Sequence, residues 1–201
     1  MRNSSPISLR VLAVLFALVC FVPFSAQAQS QTSIGLGFYG AFTGTTTGNG
    51  TIQSPSNQAG GLFELRYIAN PLMGYELTYS YHRADQAYST RSVEQGVKAG
   101  AHEITADWVV SVPILNFRPF VLAGAGVIDF RPDSNQIGVV SNAKPVFVYG
   151  GGVDWGILPH VGLRVQYRGN LYRAPDLLKV ATSTDAFART SEPVIGAYFR
   201  F

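Results

Sequence analysis

The sequence predicts an all-β protein, an eight-stranded antiparallel up-and-down transmembrane β-barrel that follows a cleaved signal peptide. Three observations carry that expectation. Beyond residue 28, apolar and polar residues alternate with period two in eight segments, the pattern of a strand with two unlike faces. The connections between the segments alternate between short and long, as a meander through a membrane requires. No stretch after residue 28 holds a helical apolar period or 18 continuous apolar residues, so a crossing by helices is excluded.

Residues 1–28 read as the leader. Arg2 and Arg10 supply positive charge, Val11 to Phe24 form an apolar run broken only by Pro23, and Ser25-Ala26-Gln27-Ala28 offers an Ala-x-Ala cleavage site. Residues 29–201 then form one barrel domain. Cys20, the one cysteine, leaves with the leader, which removes disulfides and cysteine metal sites from the mature chain. Two of the fifteen basic residues leave as well, and the rest nearly balance the twelve acids. With no basic run anywhere, the net charge does not mark a nucleic-acid binder.

The segments follow in order. Ser33 to Phe42 sets Ile34, Leu36, Phe38 and Phe42 against glycines and Tyr39. Gly61 to Ile68 alternates Phe63, Leu65 and Tyr67 with Glu64 and Arg66, and Gly74 to His82 sets Tyr75, Leu77, Tyr79 and Tyr81 against Glu76, Thr78, Ser80 and His82. Glu103 to Val112 opposes Ile104, Ala106, Trp108, Val110 and Val112 to Glu103, Thr105, Asp107 and Ser111. In Arg118 to Phe130 the larger side chains, Phe120, Leu122, Ile128 and Phe130, are expected on the apolar outer face, with Ala123, Ala125 and Asp129 inward. Val146 to Trp155 places Phe147, Tyr149, Val153 and Trp155 opposite Gly150, Gly152 and Asp154. Val161 to Tyr172 places Val161, Leu163, Val165, Tyr167 and Leu171 opposite Arg164, Gln166 and Arg168. In Glu192 to Phe201, Ile195, Ala197, Phe199 and Phe201 share one face and Gly196, Tyr198 and Arg200 the other.

Short turns are expected near Ala69 to Met73, Pro113 to Phe117 and Gly156 to His160. Long polar loops are expected over Thr43 to Gln58, Arg83 to His102, Arg131 to Lys144 and Arg173 to Ser191. A soluble calyx would show the same alternation turned inside out. Strands of about nine to eleven residues match a tilted bilayer crossing. Tyr75, Tyr81, Trp155, Tyr167 and Phe201 sit near segment ends, as an aromatic girdle would. The opposite face is too ionisable for a calyx that holds an apolar ligand.

Arg118-Pro-Phe-Val-Leu-Ala-Gly-Ala-Gly-Val, Tyr149-Gly-Gly-Gly-Val-Asp-Trp and a terminal strand that stops on Phe201 are phrasings of one family. Over residues 31 to 201 the chain resembles the outer-membrane protein β-barrel family, the OmpA/OmpX-type small barrels. The resemblance implies a bacterial outer-membrane location, both termini in the periplasm, and outer-membrane lipid and lipopolysaccharide as surroundings. It implies an assembly signal at Phe199 and Phe201 read by the barrel-assembly machinery. It implies a structural or surface-interaction role with a possible extracellular ligand at the long loops. A small porin or channel and a lipid-modifying enzyme are the alternatives.

An eight-stranded barrel has an interior that its own side chains can fill. The expected inward acids are Glu64, Glu76, Glu103, Asp107, Asp129, Asp154 and Glu192, and the inward bases are Arg66, Arg164, Arg168 and Arg200. The turn at Asn70-Pro71 brings Arg66 near Glu76, and the turn at Gly156 to Pro159 brings Asp154 within diagonal reach of Arg164. Glu64, Arg66, Glu76, Asp107, Asp154, Arg164, Arg168 and Arg200 are therefore candidates for a lumen ion-pair ladder. Acids exceed bases, so loop groups such as Lys98 and Lys144 are expected to help the balance. No catalytic, cofactor-binding or metal residue is expected. His82, His102 and His160 lie on three different connections, without ligand spacing. Lipid A deacylase barrels carry a His-x-Ser pair on the seventh strand, and Tyr167-Arg168-Gly169-Asn170 stands there instead. Gly150-Gly151-Gly152 and Gly124-Ala125-Gly126 lack the following helix that a phosphate loop needs, and read as points of close strand approach.

Overall fold

The computed structural model describes residues 31–90, 94–133, 138–178 and 184–201, and the leader expected at 1–28 lies outside them. The chain runs β1 (Gln31–Thr43), β2 (Thr46–Gly48), β3 (Thr51–Pro55), β4 (Gln58–Ile68), β5 (Met73–Arg83), β6 (Gln86–Ser89), β7 (Glu94–Val97), β8 (Ala99–Ser111), β9 (Phe117–Pro132), β10 (Asn142–Gly156), β11 (Val161–Arg173) and β12 (Phe187–Arg200). Eight of these strands close into one antiparallel barrel in the order β1-β12-β11-β10-β9-β8-β5-β4. Leu36 of β1 faces Ala197 of β12 on one side and Phe63 of β4 on the other, so no strand of the barrel is left with an open edge. That closure is what lets a sheet pair its backbone polar groups inside hydrocarbon.

The faces follow the alternation. Leu36, Phe38, Ile104, Trp108, Val165 and Ile195 project outward, Phe38 with 77 % of its surface exposed. In water such a surface would be an aggregation hazard, whereas in lipid it is the solvated face. Aromatic pairs gather at the short-turn end: Tyr75 with Trp108, Phe117 stacked on Trp155, and Phe199 between His160 and Phe201. Tyr79, Tyr81 and His102 form a second outward cluster toward the other end, where Tyr79 and His102 share a 2.9 Å hydrogen bond.

The short turns close locally. Asn70 Oδ1 accepts from the amides of Leu72 and Met73, Ile114 and Phe117 exchange backbone bonds, and Val161 pairs back to Leu158. The long connections do more than expected. The first two build a separate four-stranded sheet, ordered β2-β3-β6-β7, beyond the barrel rim. Its first hairpin turns on Asn49 and Gly50, both at positive φ, which is the geometry an Asn-Gly turn supplies.

One strand is inverted relative to the expectation. In β9, Phe120, Leu122, Ile128 and Phe130 are buried in the lumen, whereas Val121, Ala123, Ala125 and Val127 face outward. Between Arg118 and Asp129 both faces of this strand are apolar, so no polar residue there sets the register of faces. Volume decides instead, because the lumen opposite must be filled by large side chains while lipid accepts alanine. Asp129 accordingly projects outward near the outer end, paired with Arg131 at 2.7 Å, and is not a lumen acid. At Gly126, in the same strand, a Cβ would overlap the Ile104 carbonyl, so close strand approach is what the glycine permits.

Candidate functional site: a filled lumen and its outer cap

Three arginines organise the polar half of the lumen. Arg66 on β4 donates through Nε to Glu76 Oε2 at 2.6 Å and through Nη1 to Asp154 Oδ2 at 3.2 Å, and its guanidinium lies 4.1 Å from the centre of the Phe120 ring. Arg164 on β11 grips Asp154 with two donors, Nε to Oδ1 at 2.6 Å and Nη2 to Oδ2 at 2.9 Å. Its third donor, Nη1, reaches Glu64 Oε2 at 2.8 Å and Glu76 Oε2 at 3.3 Å. Two-pronged binding of this kind is what a planar guanidinium does well and an ammonium cannot. Asp154 and Arg164 are direct register partners, closer than the diagonal expected from the turn.

Arg168, two inward positions beyond Arg164 on β11 and fully buried, is surrounded rather than paired. Its Nη1 meets Thr78 Oγ1 at 3.1 Å and Asp107 Oδ2 at 3.4 Å, and its Nη2 meets Thr105 Oγ1 at 3.1 Å and Glu103 Oε1 at 3.4 Å. Glu76 Oε1 lies 3.7 Å away and Glu192 Oε2 3.9 Å away. Asn170 completes this level, donating to Glu103 Oε2 at 2.7 Å and to Glu192 Oε1 at 3.1 Å. Gln166 donates to Glu64.

Seven of the eight expected ladder residues thus lie in this one buried network: Glu64, Arg66, Glu76, Asp107, Asp154, Arg164 and Arg168. Arg200 stands apart at the short-turn rim, where it donates to the Pro159 carbonyl at 2.9 Å instead of to an acid. Lys98 is exposed outside the lumen. Thr78, Thr105, Gln166 and Asn170 are the members that the charge pattern did not mark. Their signal was their parity, since each shares an inward face with a charged residue.

Above the network the lumen turns apolar. Ile128, Phe130, Val146, Val148, Ala101 and Tyr172 form its wall, joined by Leu177 and Leu178 from the last long connection. The segment around Pro175 is held down by the outer sheet. Tyr88 Oη donates to the Pro175 carbonyl at 2.8 Å, Gln53 Nε2 donates to the same oxygen at 3.1 Å, and the Leu177 amide donates to Tyr88 Oη at 3.3 Å. Burial pushes the Tyr88 phenol above its ordinary range, so it stays a donor. Val139 and Leu178 form a bridge between the third and fourth long connections.

The histidines take neutral partners. His82 shares a 2.9 Å hydrogen bond with Tyr39 inside the barrel, His102 bonds Tyr79 outside, and His160 bonds the Arg200 carbonyl. No group of three metal-ligating side chains occurs among the described residues.

A family model, described as the outer membrane protein beta-barrel domain, matches residues 12–201. The chain belongs to that family. Solved barrels share the fold. The attachment invasion locus protein Ail of Yersinia pestis, solved in complex with the heparin analogue sucrose octasulfate, is 19 % identical, with TM-score 0.53 over 86 % of this chain and 99 % of that one. Neisserial surface protein A is 14 % identical, with TM-score 0.56 over 88 % and 100 %. The outer membrane protein OprG of Pseudomonas aeruginosa is 13 % identical, with TM-score 0.57 over 87 % and 97 %. No curated protein matches the chain by sequence. Family membership indicates the bacterial outer membrane, where barrels of this kind turn short connections toward the periplasm and long ones outward.

Arg168→Met should leave Glu103, Asp107 and Glu192 facing one another without a counter-charge. Its unfolding free energy in bilayers, read from urea titration, should fall by about 3–5 kcal/mol. Arg131→Met, which removes an exposed pair on the outer surface, should change the same measurement by about 0–1 kcal/mol.

Proposed function

We propose that this protein is a non-conducting, non-enzymatic outer-membrane barrel whose working surface is its outer sheet and long connections. The observation that carries the reading is the seat of Pro175 to Leu178 in the outer mouth, locked from above by Tyr88 and Gln53. Beneath it the arginine network fills the remaining bore. A lumen built in this way supports the barrel and blocks it, leaving the exposed outer face as the part that meets other molecules. The neutral partners of the three histidines support a role without nucleophilic catalysis.

The surroundings follow from the same reading. Arg173 and Arg189 project outward at the outer end, Arg173 over the Phe187 ring and Arg189 over the Tyr149 ring, where outer-leaflet lipopolysaccharide would present its anionic groups. At the opposite end the Phe201 amide donates to the Thr32 carbonyl and the Arg200 amide to the His160 carbonyl. Phe199 and Phe201 sit outward on that final turn of strand, in place for an assembly machinery to read them.

Purified barrel in planar bilayers should give a silent baseline at moderate voltage, and reproducible ion-selective steps would establish the channel reading instead. Deleting Phe201 should lower the yield of folded, heat-modifiable barrel in outer membranes several-fold; wild-type yield would remove the terminal residue from the assembly signal.

A further inference from the structure

The periplasmic end of the lumen opens into a cavity of about 360 Å³ between the short turns. Its wall carries three arginines, Arg66, Arg118 and Arg200, and among its lining residues the one acid is Asp154. That acid is already taken. Arg164 binds both of its oxygens, and Arg66 binds Oδ2 as well. Arg118 is the cross-strand register partner of Asp154, yet it makes no ion pair or hydrogen bond with a described residue. Among the described residues the Arg200 side chain donates only to the neutral Pro159 carbonyl. Two guanidinium groups therefore face a concave, partly enclosed space whose one lining carboxylate, Asp154, attracts Arg118 across the strand pair but accepts its hydrogen bonds from Arg164 and Arg66. Ser33, Gln31, Asn116 and Tyr198 line the same space and add neutral donors.

We propose that this periplasmic vestibule binds a small phosphate-bearing anion, with Arg118 and Arg200 as the principal ligands and Arg66 as the floor of the site. Guanidinium forks match the tetrahedral oxygens of phosphate, and charge–charge attraction strengthens where low-dielectric walls replace water. A volume of about 360 Å³ accommodates a pyrophosphate or a small phosphate monoester and falls at the lower end of ordinary ligand pockets. The groove at the other end of the molecule differs in both respects. It is lined by Ser54 to Ser56, Asp85 to Ala87 and Gly96 to Lys98, with one acid against one base. The charge excess belongs to the periplasmic mouth.

The test is calorimetric titration of the full folded barrel in zwitterionic detergent with inorganic pyrophosphate, folding of each variant being checked by heat-modifiable migration. Wild-type protein should bind saturably, and Arg118→Gln should weaken binding at least tenfold. Among the described residues Arg118 has no hydrogen bond or close ion pair to lose, so the variant should fold. Arg200→Gln should weaken binding as well, and serves as the independent variant. Arg131→Gln, at the outer rim, should bind as wild type does. Bound pyrophosphate should raise the urea midpoint of the wild type and leave that of Arg118→Gln in place. Absence of saturable binding at millimolar pyrophosphate, or equal affinity in Arg118→Gln, would overturn the site. Tighter binding of citrate than of pyrophosphate would overturn the phosphate class and assign the vestibule to carboxylates.

Discussion

A backbone that crosses hydrocarbon must satisfy its own amides and carbonyls, and this chain does so by pairing β1 with both β4 and β12. The rest of the architecture depends on that closure. A closed sheet has an inside whose size is set by the strand number, and eight strands leave room for side chains but not for a wide water path. The outward residues then need only be apolar, whereas the inward ones must fill space and balance charge together.

The interior meets both demands by dividing the work. On one side, β4, β5, β8, β11 and β12, with Asp154 from the end of β10, supply carboxylates and three arginines whose donors are shared among several acceptors. On the other, β9 and β10 supply Phe120, Leu122, Ile128, Val146 and Val148 as an apolar wall. Phe120 joins the two, since the Arg66 guanidinium packs on its ring. Toward the long-loop end the polar members give way to Phe130, Tyr172, Leu177 and Leu178, and the second sheet fixes that cap from above. The two ends of the bore consequently differ: one is capped by apolar packing, the other is an arginine-lined opening.

Much of this was legible in the sequence because charge and period two coincide in most strands. Glu64 with Arg66, Glu76 with Thr78, and Arg164 with Gln166 and Arg168 each fix an inward face without ambiguity. The β9 strand offered no such marker, and assigning its bulkier face to lipid inverted it; side-chain volume in a narrow lumen was the deciding quantity. The outer sheet was missed although its first turn was readable, since Asn49-Gly50 between the Thr-rich run 43–47 and Thr51-Ile52-Gln53 is a strong hairpin signal. Its strands, three to five residues each, are too short for periodicity to show. Arg118 was missed for a related reason: it lies at a strand end, where alternation has only just begun. Its importance comes from Arg164 and Arg66 having taken Asp154, which no linear pattern reveals.

The most direct measurement of the central claim is nitroxide accessibility along β9 in bilayers, with labels at Val121 and Leu122 and at Glu64 as a lumen reference. A sealed barrel with this register predicts strong relaxation by dissolved oxygen at position 121 and protection from both oxygen and water-soluble quencher at positions 122 and 64. Lipid exposure at 122 with burial at 121, or free access of the aqueous quencher to 64, would contradict it.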